Sequence, residues 1–371
     1  MSTTSPPGTV DAEQITREEL QLATRNHGMP LEALQHDITP VGLHYLLIHY
    51  DIPVIDPATW RLRVGGLVDS SLELSVEDLR RRERVTLPVT MECAGNGRAR
   101  LQPRAVSQPW LHEAVGTGEW TGTPLASLLE EAGLDDDAVE VVFTGADLGV
   151  ERGIEQRYQR SLSVAEATRA GALLADELNG QPLPPQHGAP LRLVVPGWYG
   201  MTNVKWLTDI EAVATPFTGY QQASAYHYRT DPDEDGTPLR RMAVRSLLTP
   251  PGIPDFLTRR RFVAPGSVEL TGRAWSGTAP ITRVQVSVDG GATWHDAQLA
   301  SPVGEHAWVG WRWTWEATPG EHELCCRATD ADGRSQPTEH PWNLGGYAVN
   351  SVHRVPVTVR SDTGTPGAQP A

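Results

Sequence analysis

Only three cysteines occur in 371 residues, and two of them, Cys325 and Cys326, are neighbours. That count excludes a disulfide framework, and reduced thiols suit a cytoplasmic compartment. No C-x-x-C pair and no H-E-x-x-H helix is present, so zinc is not signalled. The absence of both G-x-x-x-x-G-K-[ST] and G-x-G-x-x-G disfavours phosphate-loop and dinucleotide-binding readings. No G-x-S-x-G elbow marks a Ser-His-Asp hydrolase. Long apolar runs are missing too: stretches such as Leu191 to Val195 are far too short to cross a bilayer, so no membrane role is expected. Met1 to Gly8 has no basic start, apolar core or twin arginine; no leader is expected, and the expected location is cytoplasmic. Positive charge is scarce, with 31 Lys and Arg against 46 Asp and Glu and a formal net charge of -15. That balance argues against nucleic acid or anionic membrane as a partner. An acidic chain that binds an anion must gather its cations locally, which draws attention to Arg25, His27 and Arg98.

What is present is the length and hydropathy of a multidomain globular protein, with mean hydropathy -0.34. Tryptophan is frequent, at 12, and phenylalanine rare, at 4. Indole N–H groups need partners, so several tryptophans should edge pockets or interfaces. Residues 1–18 and 361–371 read as disordered tails rich in Ser, Thr, Pro and Gly. Residues 19–248 mix short strands with short helices. Val76 to Arg84 and Pro124 to Ala132 have helical patterns, while Val139 to Thr144 and Leu191 to Val195 read as buried strands. The polar, acidic stretch Thr230 to Gly236 marks a loop.

The character changes at Pro250-Pro251-Gly252-Ile253-Pro254. Short strands follow in 249–360: Ser267 to Gly272, Ile281 to Val288, Trp308 to Trp315, His322 to Thr329 and Val352 to Val359. Asp289-Gly290-Gly291 is a hairpin signal. This spacing suggests an immunoglobulin-like sandwich of about 100 residues. Trp311-Arg312-Trp313-Thr314-Trp315 alternates as a strand with one aromatic face, read as sandwich core ahead of interface. The fold class is therefore α+β, a mixed domain followed by an all-β domain.

The richest local signal is Met91-Glu92-Cys93-Ala94-Gly95-Asn96-Gly97-Arg98. A strand-like run, Val85 to Thr90, ends at a cysteine. Residues that permit tight turns follow, and a cation comes five positions after the sulfur. A thiolate so placed is either a soft metal ligand or an activated nucleophile, and Cys-His-Asn catalysis stays open. The bland alternative is a small buried hydrophobe. Two further clusters stand out. Arg25-Asn26-His27 lies on an extended or turning segment. His187-Gly188-Ala189-Pro190-Leu191-Arg192 leads into Val195-Pro196-Gly197-Trp198-Tyr199-Gly200, a candidate anion or cofactor cradle.

In order along residues 20 to 360, these motifs resemble those of the sulfite oxidase family. Thr24 to His27, Glu92 to Arg98, His187 to Arg192, Val195 to Gly200 and Val204-Lys205-Trp206-Leu207 carry the resemblance to its molybdopterin-binding oxidoreductase domain. Ser287 to Trp294 and Trp342-Asn343-Leu344 to Val355 resemble its dimerisation domain. The resemblance implies molybdenum held by one pyranopterin dithiolene and by the Cys93 thiolate. It assigns Ala23, Thr24, Arg25, Asn26, His27, Asp147, His187, Arg192, Asn203, Val204 and Lys205 to the pterin. Arg192 and Lys205 are suited to its phosphate. Arg25, Arg98, Trp110 and Tyr226 are assigned to the substrate pocket, with Tyr228 a competitor for Tyr226. The reaction implied is oxidation of sulfite to sulfate, with electrons passed to an external acceptor, a cytochrome or oxygen, by a homodimer joined through the second domain. No C-x-x-C-H motif is present and the N-terminal stretch is short, so no haem is expected in this chain.

Two departures bear on the substrate. Where family sulfite oxidases carry an arginine after Trp-Asn-Leu, this chain has Gly345. Where they carry a basic residue before the pocket tryptophan, it has Val106 or Ser107. Each lost charge-assisted hydrogen bond is worth roughly 1.5–3 kcal/mol. Either Arg100 or Arg104 compensates, or the substrate differs. Reduction of sulfoxides or related oxides is therefore the alternative enzyme reading. A catalytically idle, cofactor-binding dimeric protein is the alternative of another class.

Overall fold

The computed structural model describes residues 9–10, 15–169 and 171–361. Most of the two expected tails lies outside the described residues, but the first described helix, Arg17–Arg25, begins inside the first of them. Its start follows from a reciprocal cap: Thr16 Oγ1 accepts from the Glu19 amide at 3.2 Å and Glu19 accepts from the Thr16 amide at 2.8 Å. Glu19 is fully buried and pairs with the buried Arg104 at 2.9 Å. Arg104 is thereby committed to the helix.

The chain forms two compact units, and sequence order does not respect the border between them. One unit comprises Met1–Met29, Ile38–Met242 and Pro341–Val349; the other comprises Pro30–Asp37, Ala243–His340 and Asn350–Ala371. The main change of unit falls at 242/243, a few residues before the expected 248/249. The segment Pro341–Val349, which carries Gly345, belongs to the first unit. Trp342 Nε1 donates to the Pro103 carbonyl at 2.6 Å, the Leu344 amide to Arg229 at 2.9 Å and the Ala348 amide to Ala94 at 2.8 Å.

The first unit is rich in sheet and poor in helix. One five-stranded sheet runs Gln181–Pro182, Leu173–Leu178, Val115–Pro124, Val85–Glu92, with Arg192–Val194 also on Leu173–Leu178, and its pairs are antiparallel. A second five-stranded sheet runs Leu72–Leu74, Leu62–Gly66, Leu207–Val213, Glu140–Glu151, Ile154–Ser163. The expected helices appear as Val76–Arg80 and Leu125–Ala132. The first is shorter than its pattern because Arg82 turns away to an ion pair with Glu131 at 2.6 Å. Leu125, Leu128, Leu129 and Ala132 repeat at helical spacing and join one core with Val64, Val141, Phe143 and Leu193. Each fully buried leucine contributes about 1.5–3 kcal/mol.

The second unit has a four-stranded sheet, Arg245–Leu248, Gly266–Trp275, Val309–Ala317, Gln298–Leu299. Its six-stranded sheet runs Ile253–Pro254, Arg261–Val263, His353–Val359, Gly320–Asp330, Ile281–Ser287, His295–Asp296. Trp311 and Trp315 point into the shared core and Trp313 packs at its margin, so the alternating aromatic strand is a core strand. The Asp289-Gly290-Gly291 signal sits in a longer loop, since Val286 pairs with His295. Cys325 and Cys326 are buried free thiols. Among the described residues no helix is long and apolar enough to cross a membrane.

Candidate functional site

Strand Val85–Glu92 delivers Cys93 to a buried loop at the end of the first sheet. The Cys93 amide donates to the Ala114 carbonyl at 2.9 Å. Asn96 staples the loop: its Nδ2 donates to Glu92 at 3.0 Å and to the His112 carbonyl at 3.2 Å, and its Oδ1 accepts from the Ala114 amide at 3.1 Å. Glycine is required at two places. A Cβ on Gly95 would lie 2.6 Å from the Arg98 guanidinium carbon, and Gly97 has φ 97° with Val349 against it. Arg98 is therefore folded back beside the thiol. Burial raises the Cys93 pKa, while the Arg98 charge, the Gly95 amide and the Trp110 indole oppose the rise. Trp110 Nε1 is buried beside the Cys93 sulfur, the group its N–H faces.

A partly open cavity lies above Cys93. Its lining includes Asp147, His187, Arg192, Asn203, Lys205 and Tyr226, all expected from the sequence. Tyr226 rather than Tyr228 faces it: Tyr226 is buried, whereas Tyr228 lies on the short strand His227–Tyr228 outside the lining. Tyr226 Oη hydrogen-bonds His49 Nε2. Val204 packs in the core below, its carbonyl accepting from the Leu193 amide at 2.8 Å.

Residues Ala23 to His27 are not in the lining, although the His27 charge acts on His44 and His187, which are. Thr24, Arg25 and His27 are exposed, and Ala23 is half-buried. Arg25 donates to the Tyr50 carbonyl. Asn26 is consumed structurally: its amide donates to the Leu22 carbonyl and Gln108 Oε1, each at 3.0 Å, and its oxygen accepts from the Ile48 amide at 2.8 Å. His27 pairs through its backbone with Leu46. This segment ends a capped helix and backs the cavity wall. The wall itself is His44, Tyr45, Leu46, Leu47 and His49. Sequence reasoning missed these residues, although two histidines and two tyrosines within His44 to Tyr50 were a visible signal. Arg100 and Arg104 do not compensate the pocket: Arg100 is exposed and meets His112 Nε2 at 3.1 Å, and Arg104 serves Glu19.

The electrostatics of the cavity are unbalanced. Arg192 is buried, stacks on Trp120 at 4.6 Å, gives two N–H groups to the His187 and Asn203 carbonyls at 3.0 and 3.2 Å, and leaves Nε without a partner. Burial lowers its pKa to about 10. Lys205, the only lysine of the chain, donates to the Leu47 and Gln186 carbonyls at 2.8 and 3.1 Å. Burial and the Arg192 charge bring it down to about 7, with Asp147 opposing. Burial lowers His44 to about 4, and burial with the Lys205, Arg98 and Arg160 charges lowers His49 to about 3. Burial and the His44, Arg192 and Lys205 charges depress His187 strongly. Asp147 goes the other way, to about 6, because it is desolvated.

Neither Arg192 nor Lys205 has an ion-pair partner among the described carboxylates, and Arg192 Nε is left over. Buried cations without counter-charge cost several kcal/mol, so the cavity is built for an anion that supplies acceptors. Among the described residues no three His, Cys, Asp or Glu side chains converge on a metal position. A metal here would have to bring most of its own ligands. A phosphate-bearing dithiolene carrier beside one cysteine fits these donors.

Residues 49–221 match the oxidoreductase molybdopterin binding domain family, and residues 237–360 match the Mo-co oxidoreductase dimerisation domain family. The first match begins at His49, beyond Ala23 to His27. Sulfite oxidase of Gallus gallus is 33% identical over 356 residues, covering 88% of this chain and 74% of that protein. Mitochondrial sulfite oxidase of Mus musculus is 34% identical over 345 residues, and the match spans 87% of this chain but only 62% of the relative's length. Among solved structures, the sulfane dehydrogenase SoxCD from Paracoccus pantotrophus is similar with TM-score 0.78 and 25% identity, covering 97% of this chain and 89% of that one.

Proposed function

The chain belongs to the sulfite oxidase family of molybdopterin oxidoreductases, and from that premise we propose that it oxidises a small sulfur oxyanion beside Cys93 and passes the electrons to an external acceptor. Sulfite, the substrate in the relatives' names, is the reference compound. The observation that carries the reading is the coincidence in one cavity of a lone thiol and two buried cations without an ion-pair partner among the described carboxylates. Cys93 holds the metal, a soft donor for a soft ion. Arg192, Lys205, His187, Asp147 and Asn203 would hold one pterin and its phosphate, with His44 beside them in the lining. When bound, the cofactor supplies the two-electron oxygen-transfer chemistry.

The remaining steps belong to the protein. Arg98, whose charge acts on the Cys93 thiol, binds and orients the oxyanion. Trp110 directs its indole N–H at the sulfur and favours the thiolate. Tyr226 stays protonated, since burial raises its pKa further, and its hydrogen bond with the neutral His49 fixes where that proton sits. Leu46, Leu47 and Met201 keep bulk water from the reacting end. The second unit is read as an immunoglobulin-like dimerisation domain joining two copies, supported by its family match. The acceptor is a cytochrome or oxygen.

The test is molybdenum and pterin analysis of the native protein together with a sulfite–ferricyanide assay. Stoichiometric metal and turnover that vanishes in Cys93→Ser support the reading. Protein without molybdenum or pterin refutes it.

A further inference from the structure

The second unit presents a hairpin with an anchored stem and an apolar tip. Its first strand, Ile253–Pro254, is the edge of the six-stranded sheet and pairs with Arg261–Val263. The turn between them is set by local hydrogen bonds. Asp255 Oδ1 accepts from the Thr258 amide at 2.8 Å and from Thr258 Oγ1 at 2.7 Å. The Asp255 amide donates to the Arg260 carbonyl at 2.8 Å, and the Arg259 amide to the Asp255 carbonyl at 3.1 Å. Arginines tie down the stem: Arg259 and Arg261 both meet Glu32, and Arg260 meets Glu321.

What this turn holds up is Phe256, 85% exposed, and Leu257, 84% exposed, with Ile253 also exposed at the foot. Scattered surface apolar residues need no cause. Two adjacent large ones on a turn this constrained form a patch preorganised for a partner.

The neighbourhood of the hairpin indicates which partner. Glu32 belongs to the short 3-10 helix Leu31–Gln35. The last two residues of that helix help line an open cavity, together with Leu299, Ala300 and Trp311. Arg273 fastens the same helix to the sheet, donating to the Leu34 carbonyl at 2.7 Å and the Gln35 carbonyl at 3.0 Å. Hairpin and cavity are thus joined to one five-residue helix, the first through its acid and the second through its end. Both lie within the second unit, and the dimerisation family match over 237–360 spans the hairpin and the cavity strands. Charge agrees: the exposed Arg312 lines the cavity, and the acid Asp255 stands at the foot of the tip. In a two-fold dimer one patch meets its own copy, so a projection beside a recess fills the other copy's recess and has its own filled.

We propose that Phe256 and Leu257 of one copy insert into the cavity bordered by Leu34, Leu299, Ala300 and Trp311 of a second copy, and reciprocally. The proposal rests on the reading of this unit as a dimerisation domain and names the surface it uses.

Full-length protein is examined by sedimentation velocity over a range of concentrations. The wild-type chain is expected to be a dimer. The double variant Phe256→Asp/Leu257→Asp and, on the cavity side, Ala300→Arg each raise the dimer Kd about a hundredfold or more, with the far-ultraviolet spectrum unchanged. A second measurement does not depend on weakening the dimer. Differently tagged Phe256→Cys and Ala300→Cys chains, mixed and mildly oxidised, form a disulfide-linked pair carrying both tags, absent when either is mixed with wild type. A wild-type dimer that the double variant and Ala300→Arg leave intact, with no such cross-link, overturns this surface and leaves the dimer reading standing. A wild-type monomer overturns both. A monomer that floats with phosphatidylcholine–phosphatidylglycerol vesicles through Phe256 overturns both in favour of a lipid surface.

Discussion

The Asn26 side-chain oxygen accepts a hydrogen bond from the Ile48 amide at 2.8 Å. Through it, the end of the first helix and the segment His44 to His49 are sorted into layers. Asn26 also ties to Leu22 and Gln108, so none of its polar atoms is left for a ligand. The side chains that face the cavity belong to His44 through His49. The helix end braces the wall, and the wall meets the ligand.

This layering has opposite consequences for two neighbours. Asn26→Ala strips the acceptor from a buried amide and is expected to cost about 1–3 kcal/mol, seen as a lower melting temperature and weaker cofactor retention. Arg25→Ala should change kcat/KM by less than about fivefold, because an exposed side chain bonded to one carbonyl contributes at most ~1 kcal/mol. A loss of activity in Arg25→Ala much larger than in Asn26→Ala would restore Arg25 to the pocket.

Cys93→Ser should lose molybdenum while keeping the fold. The loop is held by the backbone of residue 93 and the Asn96 side chain, and the Gly95 amide and Trp110 indole that face the sulfur can face a serine hydroxyl as well. Elemental analysis and a melting curve on one sample check this: metal near zero with the melting temperature within a few degrees of the parent. Retained stoichiometric metal would remove Cys93 as its ligand.

Lys205 is the one lysine in the chain, and its pKa falls to about 7. Near pH 7.5 a substantial share of it is the neutral, nucleophilic amine, whereas an ordinary lysine is almost wholly protonated. An amine-selective acylating reagent should therefore label Lys205 rapidly in cofactor-free protein, read by peptide mass spectrometry apart from the N-terminal amine. Bound cofactor should protect it. Equal labelling with and without cofactor would place the phosphate elsewhere.

His44, His49 and His187 are all held below the ordinary value of 6.5. Below pH 6.5 the unfolded chain binds protons at these positions that the folded chain refuses, so stability of the cofactor-free protein falls with pH. Each contributes up to ~1.4 kcal/mol per pH unit. Asp147, raised to about 6 from 3.8, acts oppositely between those values, because the folded state holds a proton that the unfolded state has released. Three groups outweigh one, and the melting temperature should drop by several degrees from pH 7 to pH 5. A flat or rising profile would show that the three histidines are not buried together.

Much of the site was legible one motif at a time. A strand ending at Cys93, glycines at 95 and 97, and the cations Arg98, Arg192 and Lys205 each follow from local chemistry, and each stands in or beside the cavity. The strands after residue 249 were legible for the same reason: alternation and turn residues act over a few positions. The helix Arg17–Arg25 was hidden because its capping box overlaps a stretch whose composition reads as a tail.

What the sequence by itself determined is the set of reactive residue types, their order, and the short elements that present them. Only the tertiary structure decided which of two His-containing segments faces the ligand, which tyrosine stands beside the thiol, and that Pro341–Val349 joins the first unit to set Gly345 and Tyr347 against Arg98. Those choices depend on hydrogen bonds between residues as far apart as 98 and 345. Spacing along the chain carries no information about such contacts. Burial and the satisfaction of every backbone group select them only once the whole core has formed.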